Sequence, residues 1–380
     1  MVKSIYNKLP LPIKRYLFEK KGLRNLYQYK KNIRLIEKSV KSIKYKDKEL
    51  LIKDGLITWE KAFKKFILAQ PTESEIANQF FSINIRKLKK SNVEFQEEKP
   101  ILICAIKNDI YRIKKLFEHY RKLGIEQFAI IDNDSNDGTL EYLLEQGDTE
   151  VFQIKEKYTT NNREAWINRI IAYYGIERWY INVDSDELLI YNNCENKSIK
   201  DVISYLEKNN IFRARALMVD MYSNEQLFNS NNTTDSYTQM VYFDADSYIE
   251  EESVVCDLIK GGPRERVFRE NPLLTKYPIF KFIEGTIQGK SHYQYPYKLN
   301  KGLECHFALL HFKFLANDFE KYKKIAEDGS YYNGSKQYKD YINVYRKNPN
   351  ISFYEKKSKK YVDSSSLYSI NLLKKINWGE

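Results

Sequence analysis

The sequence predicts an α/β protein with a mostly parallel sheet, helices on both faces of that sheet and a helical N-terminal extension. Three observations predict this fold class. Short apolar runs of strand length alternate with amphipathic helical segments from residue 101 onward. A strand and a helix recur about every 25 residues, a spacing typical of β-α-β units. The first apolar run, Ile101–Ile106, is continuous, as expected for a strand buried on both faces.

The segment before residue 98 is predicted to be an accessory helical extension. Residues 59–68 carry apolar side chains at helical spacing, with lysines on the opposite face. These apolar side chains are Trp59, Ala62, Phe63, Phe66 and Ile67. The polar stretch at residues 96–100 is interpreted as a linker, so the main domain is predicted to begin at residue 98.

Four strands are predicted between residues 101 and 183, separated by three helices. The strands cover Ile101–Ile106 and residues 128–131, 151–154 and 179–183. The helices begin near residues 110, 139 and 166, and each ends at a glycine: Gly124, Gly147 and Gly175. Ser198 and Asp201 are predicted to form a capping box at the start of the next helix, and residues 214–219 a further strand.

The net charge of +12 is carried by residues 1–46. This segment holds 14 of the 63 Lys and Arg residues and only two of the 51 acidic residues, Glu19 and Glu37. The other 334 residues therefore hold 49 bases and 49 acids and are neutral. A nucleic-acid-binding enzyme usually spreads positive charge along its binding groove, so the body of this protein is not expected to bind nucleic acid.

The basic and apolar composition of residues 1–46 leaves two interpretations open. The segment can lie on an anionic membrane surface, or it can be a solvated helical arm that packs on the core or on a second subunit. No apolar stretch of the chain approaches the ~20 residues needed to cross a bilayer, and the N-terminus lacks the apolar region of a secretory signal. The four cysteines form no cluster, so a cytoplasmic protein is expected, with or without peripheral attachment to the inner face of the plasma membrane.

Acidic loops follow three predicted strands at the end where α/β sheets bind ligands. They are KND at 107–109, DNDSNDGT at 132–139 and DSDE at 184–187. An Asp at a strand end can accept a hydrogen bond from a ribose or a base, and an Asp-x-Asp pair can hold Mg²⁺ or Mn²⁺ against a diphosphate. Each of two loops has a structural alternative. Residues 132–139 can be a turn with a helix cap, and Asp184 and Asp186 can be two solvated acids in a turn. Three such loops at one sheet edge favour a divalent-metal nucleotide site.

Residues 101–143 and 178–191 resemble the family-2-like glycosyltransferases of the GT-A fold, in a bacterial branch with KNE, HYxxLG, DNxSxDGT and DxDE motifs. The segments GGPRERVF at 261–268, SHY at 291–293 and LHFKF at 310–314 are also similar to that branch. The resemblance spans about residues 100–345. Asp109 stands where the family usually has Glu, and the first 97 residues match nothing in the family.

The resemblance implies a sugar transfer from a nucleotide sugar, a UDP-sugar above all, to a glycan or lipid-linked acceptor in bacterial surface polysaccharide synthesis. It implies that Asp132 contacts the base or ribose, with Asn108 and Asp109 nearby. Asp186 is then the direct ligand of Mn²⁺ or Mg²⁺, while Asp184 reaches the ribose or the metal. It divides the domain into a nucleotide-sugar half at 98–200 and an acceptor half at 201–345, followed by a basic tail at 346–380.

Further residues receive roles through the same resemblance. His311 is expected at the metal or the diphosphate, with a buried core imidazole as the alternative. Arg264 and Arg266 suit a diphosphate clamp, because guanidinium matches phosphate oxygens in a bidentate way; a surface loop with ion pairs is the alternative. Lys107 and Arg163 are weaker candidates for the same task. Asp137 completes the expected nucleotide-sugar set.

The family type implies inversion at the anomeric carbon, and an inverting reaction needs a general base for the acceptor hydroxyl. Asp220, after the strand at 214–219, is the first candidate for that base, and Glu187 is the second. Asp244 and Asp246 come third. Two other functions stay open: a catalytically degenerate scaffold docked by its basic arm, and a sugar nucleotidyltransferase, whose usual glycine-rich phosphate loop is not found in the sequence.

Overall fold

The computed structural model describes residues 6–43, 55–228, 236–316, 318–329 and 331–379. Residues 1–5 and 44–46 of the predicted basic arm and residue 380 of the predicted tail lie outside this description. The described helices are α1 (Leu11–Glu19), α2 (Leu26–Ile43), α3 (Leu56–Ala69), α4 (Ser74–Ser82), α5 (Ile110–Lys122), α6 (Thr139–Glu145), α7 (Thr160–Tyr174), α8 (Ile199–Lys208), α9 (Ser236–Gln239), α10 (Gly262–Phe268), α11 (Asp318–Asp328), α12 (Tyr332–Lys347) and α13 (Ser365–Tyr368).

Within the described ranges, nine strands form the central sheet and six form three small two-stranded sheets. The strands of the central sheet are β1 (Arg86–Lys89), β2 (Ile101–Ile106), β3 (Phe128–Asp132), β4 (Thr149–Gln153), β5 (Arg178–Asn182), β6 (Glu187–Tyr191), β7 (Arg213–Asp220), β11 (Thr275–Phe282) and β14 (Cys305–His311). The small sheets are formed by β8 (Tyr242–Phe243), β9 (Tyr248–Glu252), β10 (Asp257–Gly261), β12 (Ile287–Gln288), β13 (Gln294–Tyr295) and β15 (Lys359–Lys360).

The α/β fold class is confirmed, but the sheet is mixed. Its strand order is β1-β4-β3-β2-β5-β11-β7-β14-β6. The block β4-β3-β2-β5 is parallel, as expected of strands joined by helical crossovers, and gives this half a Rossmann-like arrangement. β11 runs antiparallel to both of its neighbours, and β1 and β6 pair antiparallel at the two edges. Periodicity does not encode strand direction, because direction depends on the route of the connections.

Helices cover both faces of the sheet. Along β2, Leu102 and Cys104 join one apolar cluster, with α5, α6 and α8, while Ile101 and Ile103 join the other, with α3, α4 and α7. This alternation explains why the strand is apolar at every position. The predicted helix at 59–68 lies within α3, and all five of its predicted core side chains are buried. The capping box of Ser198 and Asp201 is confirmed.

Residues from both ends of the chain belong to the same architecture as the main domain. β1 lies before residue 97 and pairs with β4 at the sheet edge. In the predicted tail, Leu367, Leu373 and Ile376 are buried in the same cluster as α5. Within the described residues, no helix is both long and apolar enough to span a bilayer.

Candidate active site

The three acidic loops meet at one edge of the sheet, as predicted. Ile106 at the end of β2 lies opposite Asp132 at the end of β3, so the two strands finish at the same level. The backbone N–H of Asn108 donates to the Ser135 hydroxyl at 3.0 Å, which ties the first loop to the second. The Ser185 hydroxyl donates to the Asp109 carboxylate, which ties the third loop to the first.

Asp132 presents a buried oxygen atom for which the described part of the chain offers no hydrogen-bond partner. The side chain is 0% exposed. Its Oδ2 accepts from the backbone N–H of Ser135 at 3.1 Å, whereas its Oδ1 accepts from nothing. Burial raises the pKa of this carboxyl above its ordinary value. An unsatisfied buried acceptor is costly, and a ligand N–H or hydroxyl would remove that cost.

Other residues of the first two loops form their framework. The side-chain Oδ1 of Asn108 accepts from the backbone N–H of Asn136 at 2.8 Å. Asp137 accepts from the backbone N–H of Thr139 at 3.0 Å and of Ile110 at 3.3 Å. Asn108 and Asp137 therefore hold the loops together, and Lys107 is exposed beside them.

Asp109 is likewise engaged. Its Oδ1 accepts from Arg112 Nη1 at 3.0 Å and from Lys321 Nζ at 2.9 Å. Burial acts to raise its pKa, but Arg112 and Lys321 hold it below the ordinary value. The shorter carboxylate, in place of the expected Glu, thus forms ion pairs across α5 and α11.

Asp184 accepts from two basic side chains of the protein. Arg163 Nη2 lies 2.6 Å from its Oδ1, and Lys276 Nζ lies 3.0 Å from its Oδ2. Burial acts to raise the pKa of Asp184, but the two cations hold it well below its usual range. Both oxygens are therefore occupied, and Arg163, predicted to bind diphosphate, is committed to Asp184 and Glu164. The predicted role of Asp184 as a metal ligand does not fit this arrangement.

Glu187 is 1% exposed and bound to the same lysine. Its Oε1 lies 2.6 Å from Lys276 Nζ, and its Oε2 accepts from the backbone N–H of Asp184 at 3.0 Å. A carboxylate that is enclosed and ion-paired in this way cannot reach an acceptor hydroxyl. Glu187 therefore does not fit the predicted role of general base.

A chain of polar contacts runs inward from Asp186. His311 Nε2 lies 3.4 Å from Asp186 Oδ2, and His311 Nδ1 lies 2.6 Å from Asp220 Oδ1. Arg264 Nε donates to the other Asp220 oxygen at 2.7 Å. Burial opposes ionisation of Asp220, but Arg264 and His311 lower its pKa to about 2. Such a weak base, 2% exposed, does not fit proton abstraction from an acceptor; Asp220 orients His311 instead.

Asp186 and His311 are the side chains that could hold a divalent cation. Ligand atoms of Asp186, Glu187 and His311 lie within 4.8 Å of one another, but Glu187 is neutralised by Lys276. An imidazole and a carboxylate together favour Mn²⁺ over Mg²⁺, which prefers oxygen ligands. Two protein ligands would leave coordination positions for diphosphate oxygens.

Two cationic groups near this pair have unused donor capacity. Arg264 Nη2 is buried and has no acceptor within the described ranges. Lys313 lies on the chain two residues after His311 and contacts the Tyr338 hydroxyl at 3.5 Å. Burial and the neighbouring Arg264 lower the pKa of Lys313, as expected of a desolvated cation without a close carboxylate.

The remaining predicted residues lie in a separate cluster. Arg266 Nη2 donates to Asp244 at 2.8 Å and to the backbone of Phe353. Asp244 also accepts from Tyr222, and Asp246 is exposed near Lys357 at 3.4 Å. Arg266 is therefore part of an ion-paired loop, the structural alternative to the predicted diphosphate clamp. Neither Asp244 nor Asp246 contacts the Asp186–His311 pair within the described residues.

Sequence reasoning missed Lys276, Lys313 and Arg112. Lys276 is 1% exposed in β11, a strand that also carries Lys281, and a lysine buried to this extent requires a carboxylate partner. Arg112 falls on the apolar face of α5, where it binds Asp318 and two backbone carbonyls. Tyr331 is one of several aromatic residues beyond residue 270 that the sequence offers for a sugar-stacking surface; with 31 tyrosines in the chain, core packing is the alternative for all of them.

Tyr331 lies close to the acidic loops. Its ring stacks on Tyr158 with centroids 4.8 Å apart. Burial and neighbouring charges, including Asp109, Asp184 and Asp186, raise its pKa. The two rings form an aromatic wall beside the site, of the kind that packs against a sugar or a base.

Comparisons with known proteins do not identify a family or a function for this chain. No model of a known protein family matches the chain, and no curated protein sequence matches it. Among solved structures, the chain is similar to HddC from Yersinia pseudotuberculosis, with 10% identity and a TM-score of 0.26, over 49% of this chain and 77% of that chain. A similarity this weak identifies neither a family nor an activity.

Proposed function

We propose that this protein is a metal-dependent glycosyltransferase of the GT-A type. Its donor is a nucleotide sugar, a UDP-sugar first, and its acceptor is a glycan or a lipid-linked glycan. The observation that carries the proposal is the position of three different groups at one sheet edge. These are the unpartnered Asp132 oxygen, the Asp186–His311 pair, and the donors of Arg264 and Lys313.

Each group has a task in the proposed reaction. Asp132 Oδ1 accepts a hydrogen bond from the base or ribose and so fixes the nucleoside at the end of β3. A divalent cation held by Asp186 and His311 would neutralise charge on the leaving nucleoside diphosphate. Lys313 and Arg264 Nη2 bind the diphosphate oxygens from the protein side, and Tyr158 and Tyr331 flank the sugar.

The general base of this reaction is not assigned. Asp220 and Glu187, the two leading candidates from the sequence, are both buried in ion pairs. Their proposed tasks are structural: Asp220 orients His311, and Glu187 holds Lys276 beside Asp184. Inversion at the anomeric carbon stays a prediction from the family resemblance.

One observation favours a second candidate, a scaffold without catalytic activity. Protein cations already neutralise Asp109, Asp184 and Glu187, so most of the acidic loops need no metal for charge balance. This would suit a domain that has kept the fold and lost turnover. The Asp186–His311 pair, Arg264 Nη2 and Lys313 then separate the candidates.

The test is hydrolysis of nucleotide sugars by the whole chain, with Mn²⁺ or with EDTA. A panel of UDP-, GDP-, CMP- and dTDP-sugars is read by release of the nucleotide. We expect Mn²⁺-dependent turnover with one nucleotide, and we expect Asp186→Asn to lower it at least about a hundredfold, because charge stabilisation of the leaving group is lost.

Asp246→Asn is the matched control, because Asp246 is exposed and outside the site. It should turn over like the native protein, and both variants should melt as the native protein does. Absence of Mn²⁺-dependent release across the panel would favour the scaffold. Full activity of folded Asp186→Asn would refute the metal assignment.

A further inference from the structure

The outer face of α2 carries a continuous stripe of exposed residues. Tyr27, Lys31, Arg34, Lys38 and Lys41 recur at four- and three-residue intervals, so they share one side of the helix. All five are exposed, and Tyr27 is 79% exposed. The opposite side, with Asn32, Ile36 and Val40, is buried against the body. We call the exposed side, together with Leu23 and Leu26, the α2 face.

Apolar side chains adjoin the cations at the start of this face. Leu23 is 54% exposed and Leu26 is 47% exposed, next to Tyr27. Among the residues that the structure describes, 14 large apolar side chains are exposed, and six of them lie between residues 13 and 35, a short part of the chain. Clustered exposed apolar groups mark an interaction surface, whereas scattered ones need no explanation.

The charge of the described arm is strongly one-sided. Residues 6–43 hold 11 Lys and Arg residues against Glu19 and Glu37. Glu37, whose side chain is 45% exposed, pairs with Lys64 of α3 at 2.9 Å and, by helical spacing, also adjoins Arg34 and Lys41. The α2 face therefore presents four cations against this one acidic neighbour, which Lys64 already engages.

We propose that the α2 face docks the protein on an anionic lipid bilayer. Cations beside exposed Leu and Tyr side chains match the two layers of such a surface, phosphate headgroups above and acyl chains below. A nucleic acid would meet the cations but leave Leu23 and Leu26 in water. A second copy of this face would bring like charges together. The proposal is independent of the proposed sugar transfer.

The experiment is vesicle co-sedimentation with the full chain. One set of vesicles is pure phosphatidylcholine, and the other contains added phosphatidylglycerol. We expect binding to the second set alone, weakened by salt, because screening reduces attraction between exposed charges. A variant with Lys31→Gln, Arg34→Gln, Lys38→Gln and Lys41→Gln should bind about a hundredfold more weakly.

A matched variant removes four exposed lysines of the tail: Lys356→Gln, Lys357→Gln, Lys359→Gln and Lys360→Gln. It should bind as the native protein does, whereas Leu23→Ser with Leu26→Ser should weaken binding without changing its salt dependence. Equal losses in the two lysine variants would overturn the proposal. So would equal binding to both vesicle types, no binding, or preferential binding of a short DNA duplex. Thermal melting confirms that each variant is folded.

Discussion

His311 links the surface of the candidate site to its interior. Its Nδ1 faces the buried Asp220, so its Nε2 is directed at Asp186. Burial acts to lower the pKa of His311, but the two aspartates raise it above its ordinary value. The imidazole is therefore protonated more readily than a free histidine, and a metal ion at Nε2 must displace that proton.

Metal affinity should consequently rise with pH. A raised pKa means that the proton leaves only at higher pH, so Mn²⁺ binding is weak in acid and tightens as pH rises through the pKa of His311. Mn²⁺ titration followed by electron paramagnetic resonance at a series of pH values measures this. His311→Gln should bind weakly with a flatter pH dependence; a pH-independent native affinity contradicts the assignment.

Gly261 gives a prediction about stability. Its φ is +110°, and a Cβ built there would lie 1.8 Å from the backbone oxygen of Ser247. Gly261→Ala should therefore cost more than about 3 kcal/mol, since both backbone strain and a backbone clash oppose it. Gly285→Ala, at φ +84° with open space around it, should cost about 1 kcal/mol. Chemical denaturation compares the two, and equal costs would contradict the clash.

At the scale of elements, α3 attaches the N-terminal helices to the sheet through aromatic packing. Trp59 stacks on Phe80 of α4 at 4.9 Å and on Phe282 of β11 at 5.5 Å, measured between ring centroids. The same strand carries Lys276 to the candidate site. Packing at one end of β11 therefore supports the position of a cation near its other end.

Trp59→Ala should destabilise the protein by about 3–5 kcal/mol, because it opens a large cavity between α3, α4 and β11. Ile57→Ala, on the same helix but 68% exposed, should change the free energy of unfolding by less than about 0.5 kcal/mol. Urea unfolding monitored by circular dichroism provides both values. If Trp59→Ala changed the free energy of unfolding as little as Ile57→Ala, α3 would not contribute to the cooperative core.

At the scale of the whole molecule, stability should fall in mild acid. His119 contacts the Leu189 carbonyl at 2.8 Å, and its desolvated surroundings lower its pKa to about 4. An unfolded chain binds a proton at this histidine near pH 6.5, whereas the folded chain resists until about pH 4. The unfolded state therefore binds more protons in this window, and stability decreases as pH falls through it.

We expect His119 alone to remove about 2 kcal/mol of stability between pH 7 and pH 5. His119→Gln keeps a donor for the Leu189 carbonyl without titrating, so its stability should fall less over the same interval. The difference between the variant and the native protein should be constant above pH 7. Thermal melts of both proteins across the pH series test this. If the stabilities of the native protein and His119→Gln fell in parallel between pH 7 and pH 5, the prediction would be wrong.

Periodicity is sufficient to predict β2, β3, β4, β5 and their helices, because each of these strands contains a short apolar run and each crossover is local. It could not predict the antiparallel β11 or its place between β5 and β7, which depend on contacts distant in sequence. The same limit applies to the site. The sequence predicts the three acidic loops. It does not predict the cations from α7, β11 and α11 that neutralise Asp109, Asp184 and Glu187, because these partners are distant in sequence and follow no fixed spacing.

The burial of residues near the C-terminus has a consequence for biosynthesis. Leu367, Leu373 and Ile376 fill the layer that also contains Ile113 and Leu309. On the ribosome, that layer stays incomplete until the segment around residue 376 has left the exit tunnel. Premature termination before residue 367 would therefore leave an apolar surface exposed to solvent. The shortened product would then be a substrate for chaperones and proteases.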